Sequence, residues 1–159
     1  MSDERGCTPV YDDILIPTDG TRGSEFAIDH AVDLAAVHGA RLHALYVIDE
    51  DVYSSYGGDE YVHDSEGLEA ALEHEGEDAL DRVAARAADE NVECVSTLTR
   101  GVPHEEILEY ADDEDVDLIV LGTEERTGEY RRLLGSVTER VARRTSRPVS
   151  VVKTPERDE

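Results

Sequence analysis

Apolar residues fall into short runs and helical stripes that alternate along the chain. Ile14, Leu15 and Ile16 form an unbroken run closed by the turn residues Thr18, Asp19 and Gly20, which predicts a buried strand over 13–17. From Ser24 the period changes. Ala27, Ala31, Leu34 and Ala35 recur at helical spacing, and Gly39 stands where a helix-ending glycine is expected. A second strand is predicted over 41–48. Residues 49–64, with three tyrosines, two glycines and several acids but no period, read as a long loop or a poorly ordered flap. Leu68, Leu72, Leu80, Val83, Ala84 and Ala87 then mark an acid-rich helix ending near Asn91, and 92–99 reads as a third strand.

The alternation continues to the end of the sequence. Pro103 suits a first helical turn, and Ile107, Leu108 and Ala111 give that helix its buried face. A fourth strand is predicted over 117–121, followed by a loop over 122–135. Ser136 and Glu139 have the spacing of a capping box, which would open a helix at Val137 that buries Val137, Val141 and Ala142. Residues 148–153 make the fifth strand. Strands alternating with helices imply an α/β fold: one open parallel sheet covered on both faces. Ligands of such folds sit beyond the carboxyl ends of the strands, which directs attention to Thr18, Asp19 and Gly20 and to the chain from Gly122 onward.

Length and composition narrow the picture. A chain of 159 residues suits one domain, here 12–153 between an acidic leader (1–11) and a polar tail (154–159). No apolar run approaches a membrane span, and the acidic start lacks the hydrophobic stretch of a secretory signal, so the expected location is the cytoplasm. Cys7 and Cys94 are too few for a disulfide framework or a zinc pair. Charge changes the picture most. There are 39 acidic residues against 15 basic ones, a formal net charge of −24, and Lys153 is the sole lysine. Such a surface repels nucleic acid and anionic membranes. A lysine-poor, acidic chain with sound apolar periodicity resembles proteins that work in molar salt, where screening shortens the Debye length to about 3 Å.

Against that background, the segment from Arg126 to Arg147 holds seven of the 14 arginines and only two acids, Glu129 and Glu139. Arg143, Arg144 and Arg147 fall where cations offset a helix dipole, a structural use. Arg126, Arg131 and Arg132 serve either anion contact or solvation. Gly122, Gly135 and Ser136, beside a helix start, form a combination suited to phosphate. Asp19 is either a turn residue or a functional one. Other catalytic signatures are absent: there is no phosphate-binding G-x4-G-K-[ST], no G-x-G-x-x-G after the first strand, no G-x-S-x-G and no H-E-x-x-H, and the six histidines lack metal-ligand spacing.

The segments 12–20, 45–49, 117–122, 134–141 and 147–152 together resemble the universal stress protein family, over nearly the whole chain. That resemblance implies a five-stranded parallel sheet of order 3-2-1-4-5 and a homodimer joined along the last strand, from Pro148 at its start to Lys153 at its end. Part of the family binds ATP through G-x2-G-x9-G-[ST], and on this chain the motif falls on Gly122, Gly135 and Ser136, with Glu125 at its second glycine. The resemblance further implies that Pro17, Thr18 and Val47 frame the adenine and Asp19 takes the ribose hydroxyls. Ser136 and the amide of Val137 would hold phosphate, with Gly122, Thr123 and Gly135 beside them. ATP, with or without Mg, is the implied cofactor, acting as a conformational ligand with little or no turnover. The alternative is a dimeric protein-interaction module of the same fold, its partner unknown, in which Glu125 closes the phosphate site. A left-handed backbone there would cost a non-glycine residue about 1 to 2 kcal/mol.

Overall fold

A computed structural model describes residues 11–50, 62–123 and 135–153, except the side chains of residues 22, 23 and 62–66. Elements follow one another as β1 (Asp13–Pro17), α1 (Arg22–His38), β2 (Arg41–Asp49), α2 (Val62–Asp89), β3 (Cys94–Gly101), α3 (Pro103–Asp113), β4 (Leu118–Gly122), α4 (Ser136–Arg144) and β5 (Val149–Val152). All strand pairs are parallel and the order is β3-β2-β1-β4-β5, as the family resemblance implied. The central strand β1 aligns Ile14 with Leu42 of β2 on one side and with Leu118 of β4 on the other. Most of the 49–64 loop lies outside the described residues, though β2 runs on through Asp49 and α2 already begins at Val62.

The pleat sorts each strand's side chains onto two faces. Ile14, Ile16, Leu42, Ala44, Tyr46, Ile48, Leu118 and Val120 join Ala27, Ala31, Val32, Ala79, Leu80 and Val83 in one apolar layer under α1 and α2. Leu15, Leu45, Ile119 and Leu121 join Ile107, Ala111 and Val141 in a smaller layer under α3 and α4. Strands buried on both faces explain why their sequences read as continuous apolar runs rather than alternations.

Three helices end alike. Gly39 (φ 66°), Asn91 (φ 58°) and Asp115 (φ 52°) adopt the left-handed conformation just past α1, α2 and α3. The next amide then returns to a helix carbonyl: Ala40 to Ala35 at 2.9 Å, Val92 to Ala87 at 2.8 Å and Val116 to Ala111 at 3.1 Å. Each hooks a buried apolar residue under the helix end, the Schellman arrangement. This corrects the predicted third strand. Val92 belongs to the helix-closing turn, so β3 starts two residues later, at Cys94, and extends to Gly101.

Two further readings change. The N-cap of α4 is Gly135, and its side-chain-free position makes no capping hydrogen bond; Ser136 is already the first helical residue. The capping box therefore does not form, and Glu139 pairs with Arg143 at 3.0 Å one turn on. Ala142 is exposed, because one residue past Val141 turns the chain about 100° off the inward stripe of half-buried Val137 and buried Thr138 and Val141. The structural use of the last arginines is visible: Arg147 donates to the Val116 carbonyl at 2.7 Å and pairs with Asp112 and Asp115, while Arg144 donates to buried His104 at 3.0 Å, joining α4 to α3.

Candidate functional site

At the carboxyl edge of the sheet the ladders continue one step past the strands and then part. The Thr18 amide bonds the Leu45 carbonyl at 2.9 Å, and the Thr123 amide bonds the Val152 carbonyl at 3.2 Å. Beyond these contacts β1 and β4 lead in opposite directions, into α1 and toward α4, which opens a crevice between them as expected at a switch in strand order. A cavity of about 320 Å³ occupies it. Leu45, Val47, Ile107, Leu121 and Val137 give it apolar walls, and buried Thr18, Thr123 and Thr138 supply hydroxyls.

Of the nine candidate residues, Pro17, Thr18, Asp19, Val47, Gly122, Thr123, Gly135 and Val137 all line this cavity. Ser136 is not among the lining residues; its side chain is exposed on the first turn of α4. Residues separated by more than a hundred positions thus converge because their strands sit side by side. The turn after β1 is organised by Asp19. Its Oδ1 accepts from the Thr21 amide at 2.9 Å, the Thr21 hydroxyl at 2.6 Å and the Ser24 hydroxyl at 2.7 Å. Thr21 is in turn the N-cap of α1 and accepts from the Ser24 amide at 3.4 Å. Gly20 takes φ 80°, which the tight turn requires. The carboxylate is held at the cavity rim by Oδ1, and Oδ2 stands outside that network.

The opposite wall is fixed by Thr138, whose hydroxyl donates to the Gly122 carbonyl at 2.8 Å and ties α4 to the end of β4. The Glu139 amide is the first in α4 to bond back, to Gly135 at 2.9 Å, so the amides of Ser136, Val137 and Thr138 precede the helical ladder. A helix start of this kind favours an anion. The loop readings on Glu125, Arg126, Arg131 and Arg132 lie outside the described residues. Among the described residues no group of three metal-binding side chains gathers.

Sequence reading missed Thr138, Ser24 and Tyr46, all of which line the cavity. Ser24 had a signal, since Thr21 and Ser24 have capping spacing after Asp19. Thr138 and Tyr46 lie inside the segments that carry the family resemblance, 134–141 and 45–49, but their residue types alone give no sign that they face the cavity.

The universal stress protein family model matches residues 11–153. This chain belongs to that family. It is 39% identical over 149 residues to universal stress protein MJ0531 of Methanocaldococcus jannaschii, covering 94% of this chain and 86% of that one. Among solved structures, protein MJ0577 superposes with a TM-score of 0.77 at 30% identity, covering 93% of this chain and 99% of that one. The same organism, Methanocaldococcus jannaschii, is the source of MJ0577. A universal stress protein solved in complex with cAMP superposes with a TM-score of 0.63 at 25% identity, covering 90% of this chain and 97% of that one.

Proposed function

We propose that this universal stress protein is a cytoplasmic, stress-related regulatory module that binds an adenine nucleotide, ATP with or without Mg, in the cavity at the carboxyl edge of the sheet. The observation that carries this reading is the convergence of eight of the nine candidate residues on one cavity. The chemistry of the lining fits. Apolar walls suit a purine, the Asp19 carboxylate held at the rim is an acceptor suited to sugar hydroxyls, and the start of α4 suits phosphate. The relative solved with cAMP is a family member holding an adenine nucleotide. Turnover is slow or absent, and the nucleotide acts by changing contacts.

Those contacts are assigned to a homodimer through the last strand. β5 is an edge of the sheet, and all four of its residues are only half-buried within one chain. The net charge of −24, on a chain with a single lysine, supports reading the protein as one that works in a high-salt interior.

Calorimetry in about 2 M KCl tests the reading, with ATP and cAMP as titrants, since dilute buffer leaves the charge unscreened. The unaltered chain is expected to bind ATP with micromolar affinity, and Asp19→Asn, which keeps an oxygen for the turn, to lose about tenfold or more. Absence of binding in the unaltered chain, with binding restored by Glu125→Gly, would replace the nucleotide reading with the protein-interaction module.

A further inference from the structure

Helix α2 carries two glycines among its described side chains, and they differ. Gly67 is exposed and a methyl group on it would meet nothing within 4 Å. Gly76 is buried in the helix interior, where glycine is disfavoured relative to alanine unless its missing side chain is needed. A methyl group there would lie 2.6 Å from Leu98 Cδ1 and 2.7 and 3.0 Å from Tyr46 Cδ1 and Cε1. Such separations are well inside carbon contact distance, so something would have to move.

The two neighbours can yield to different degrees. Leu98 is half-buried on the edge strand β3, and its terminal methyl can swing. Tyr46 is a ring on β2 that is 8% exposed and packed within the larger apolar layer. It also lines the nucleotide cavity, together with Leu72 from α2. Burial, and then the charges of Glu75 and Asp19, push its phenol above the usual tyrosine range, so the hydroxyl feels the carboxylate at the rim. The ring lies against the α2 backbone at Gly76 within the layer under α1 and α2, at the level of the sheet where Tyr46 borders the cavity.

We propose that Gly76 is a positioning residue for the cavity: its missing side chain lets the Tyr46 ring lie against α2 and keeps the space beside Asp19 open for the ligand. The ligand part rests on the nucleotide reading, whereas the ring geometry does not. Alanine at this position would drive the ring into the space the ligand needs, and removal of the ring would make the same alanine harmless.

The test uses the full chain in about 2 M KCl as Gly76→Ala, Tyr46→Leu and the double variant. Two readouts apply: ATP calorimetry, and tetranitromethane nitration of Tyr46 mapped by mass spectrometry. Gly76→Ala is expected to weaken ATP binding about tenfold and to speed nitration of Tyr46, whereas in the Tyr46→Leu background the same change should alter affinity less than about twofold. Equal losses in both backgrounds, or unchanged affinity, would overturn the proposal. If the unaltered chain binds no ATP, the nucleotide reading fails by itself and nitration decides: Tyr46 equally protected with and without Gly76→Ala overturns the positioning role. Should the single variant not fold, a folded double variant is expected, and a double variant that unfolds likewise overturns it.

Discussion

Asp117 shows how one side chain can fasten the sheet. Its Oδ2 accepts from the Asp12 amide at 2.7 Å and the Asp13 amide at 2.9 Å, while its own amide bonds the Asp13 carbonyl at 2.8 Å. Asp117→Ala removes the acceptor for two amides at the entry to β1, one exposed and one part-buried, and is expected to cost about 1 kcal/mol, read as a lowered urea midpoint. Asp13 itself faces buried His43, whose Nε2 donates to it at 2.9 Å and whose Nδ1 meets the Tyr110 hydroxyl at 2.8 Å; Arg41 adds a contact at 3.0 Å. Burial works to raise the Asp13 carboxyl, but the bonds from His43 and Arg41 outweigh it and hold the group below its ordinary value of 3.8. A depressed carboxyl contributes stability that is complete above the unfolded value and lost as pH falls through the folded one. Denaturation at a series of pH values should therefore show an acid limb below about pH 4 that is shallower in Asp13→Asn. At this scale the sequence was partly legible. Asp19 and Gly20 announce a turn by residue type alone, whereas the His43, Asp13 and Tyr110 contacts join three elements and have no local signature.

Element ends carry their own arithmetic. Gly39 satisfies its left-handed position without strain, but Asn91 and Asp115 occupy the equivalent positions after α2 and α3 as non-glycine residues. Asn91→Gly is expected to gain about 0.5 kcal/mol and to raise the melting temperature by about 1 to 2 °C. Asp115→Gly should gain less or lose, because it also removes one of the two carboxylates paired with Arg147, at 3.0 Å. A pair of melting curves checks both, and equal gains would show that the Arg147 contact contributes nothing. Helices and strands were readable where period and burial agree, as in α1, from Ala27 to Ala35. Boundaries were less so, for a physical reason: Val92 is apolar because it closes a helix, and nothing in its identity separates that use from a strand start. Gly135 and Ser136 present the same ambiguity at α4, where two adjacent small residues compete for the cap and the backbone chose the glycine. The strand order came from resemblance, since alternation fixes parallel pairing but not which strand lies at the centre.

For the whole molecule, charge is the dominant variable. A net charge of −24 on 159 residues should make the melting temperature climb by several degrees between about 0.1 and 2 M KCl, as the Debye length shrinks from about 10 Å to less than 3 Å. A flat or falling curve over that range would remove the high-salt assignment. The assembly reading is checked by sedimentation: the unaltered chain should run as a dimer and Val151→Lys, which puts a charge on the edge strand, as a monomer. The two apolar layers on either side of the sheet are unequal, with nineteen buried residues under α1 and α2 and eight under α3 and α4 among the described residues. The cavity draws Ile107, Leu121 and Val137 from the thinner side. In deuterated solvent the two sides should therefore keep different time: amides of α3 and α4 trade their protons early through partial opening, those of α1 late, and an occupant of the cavity slows the early clock while leaving the late one nearly unchanged.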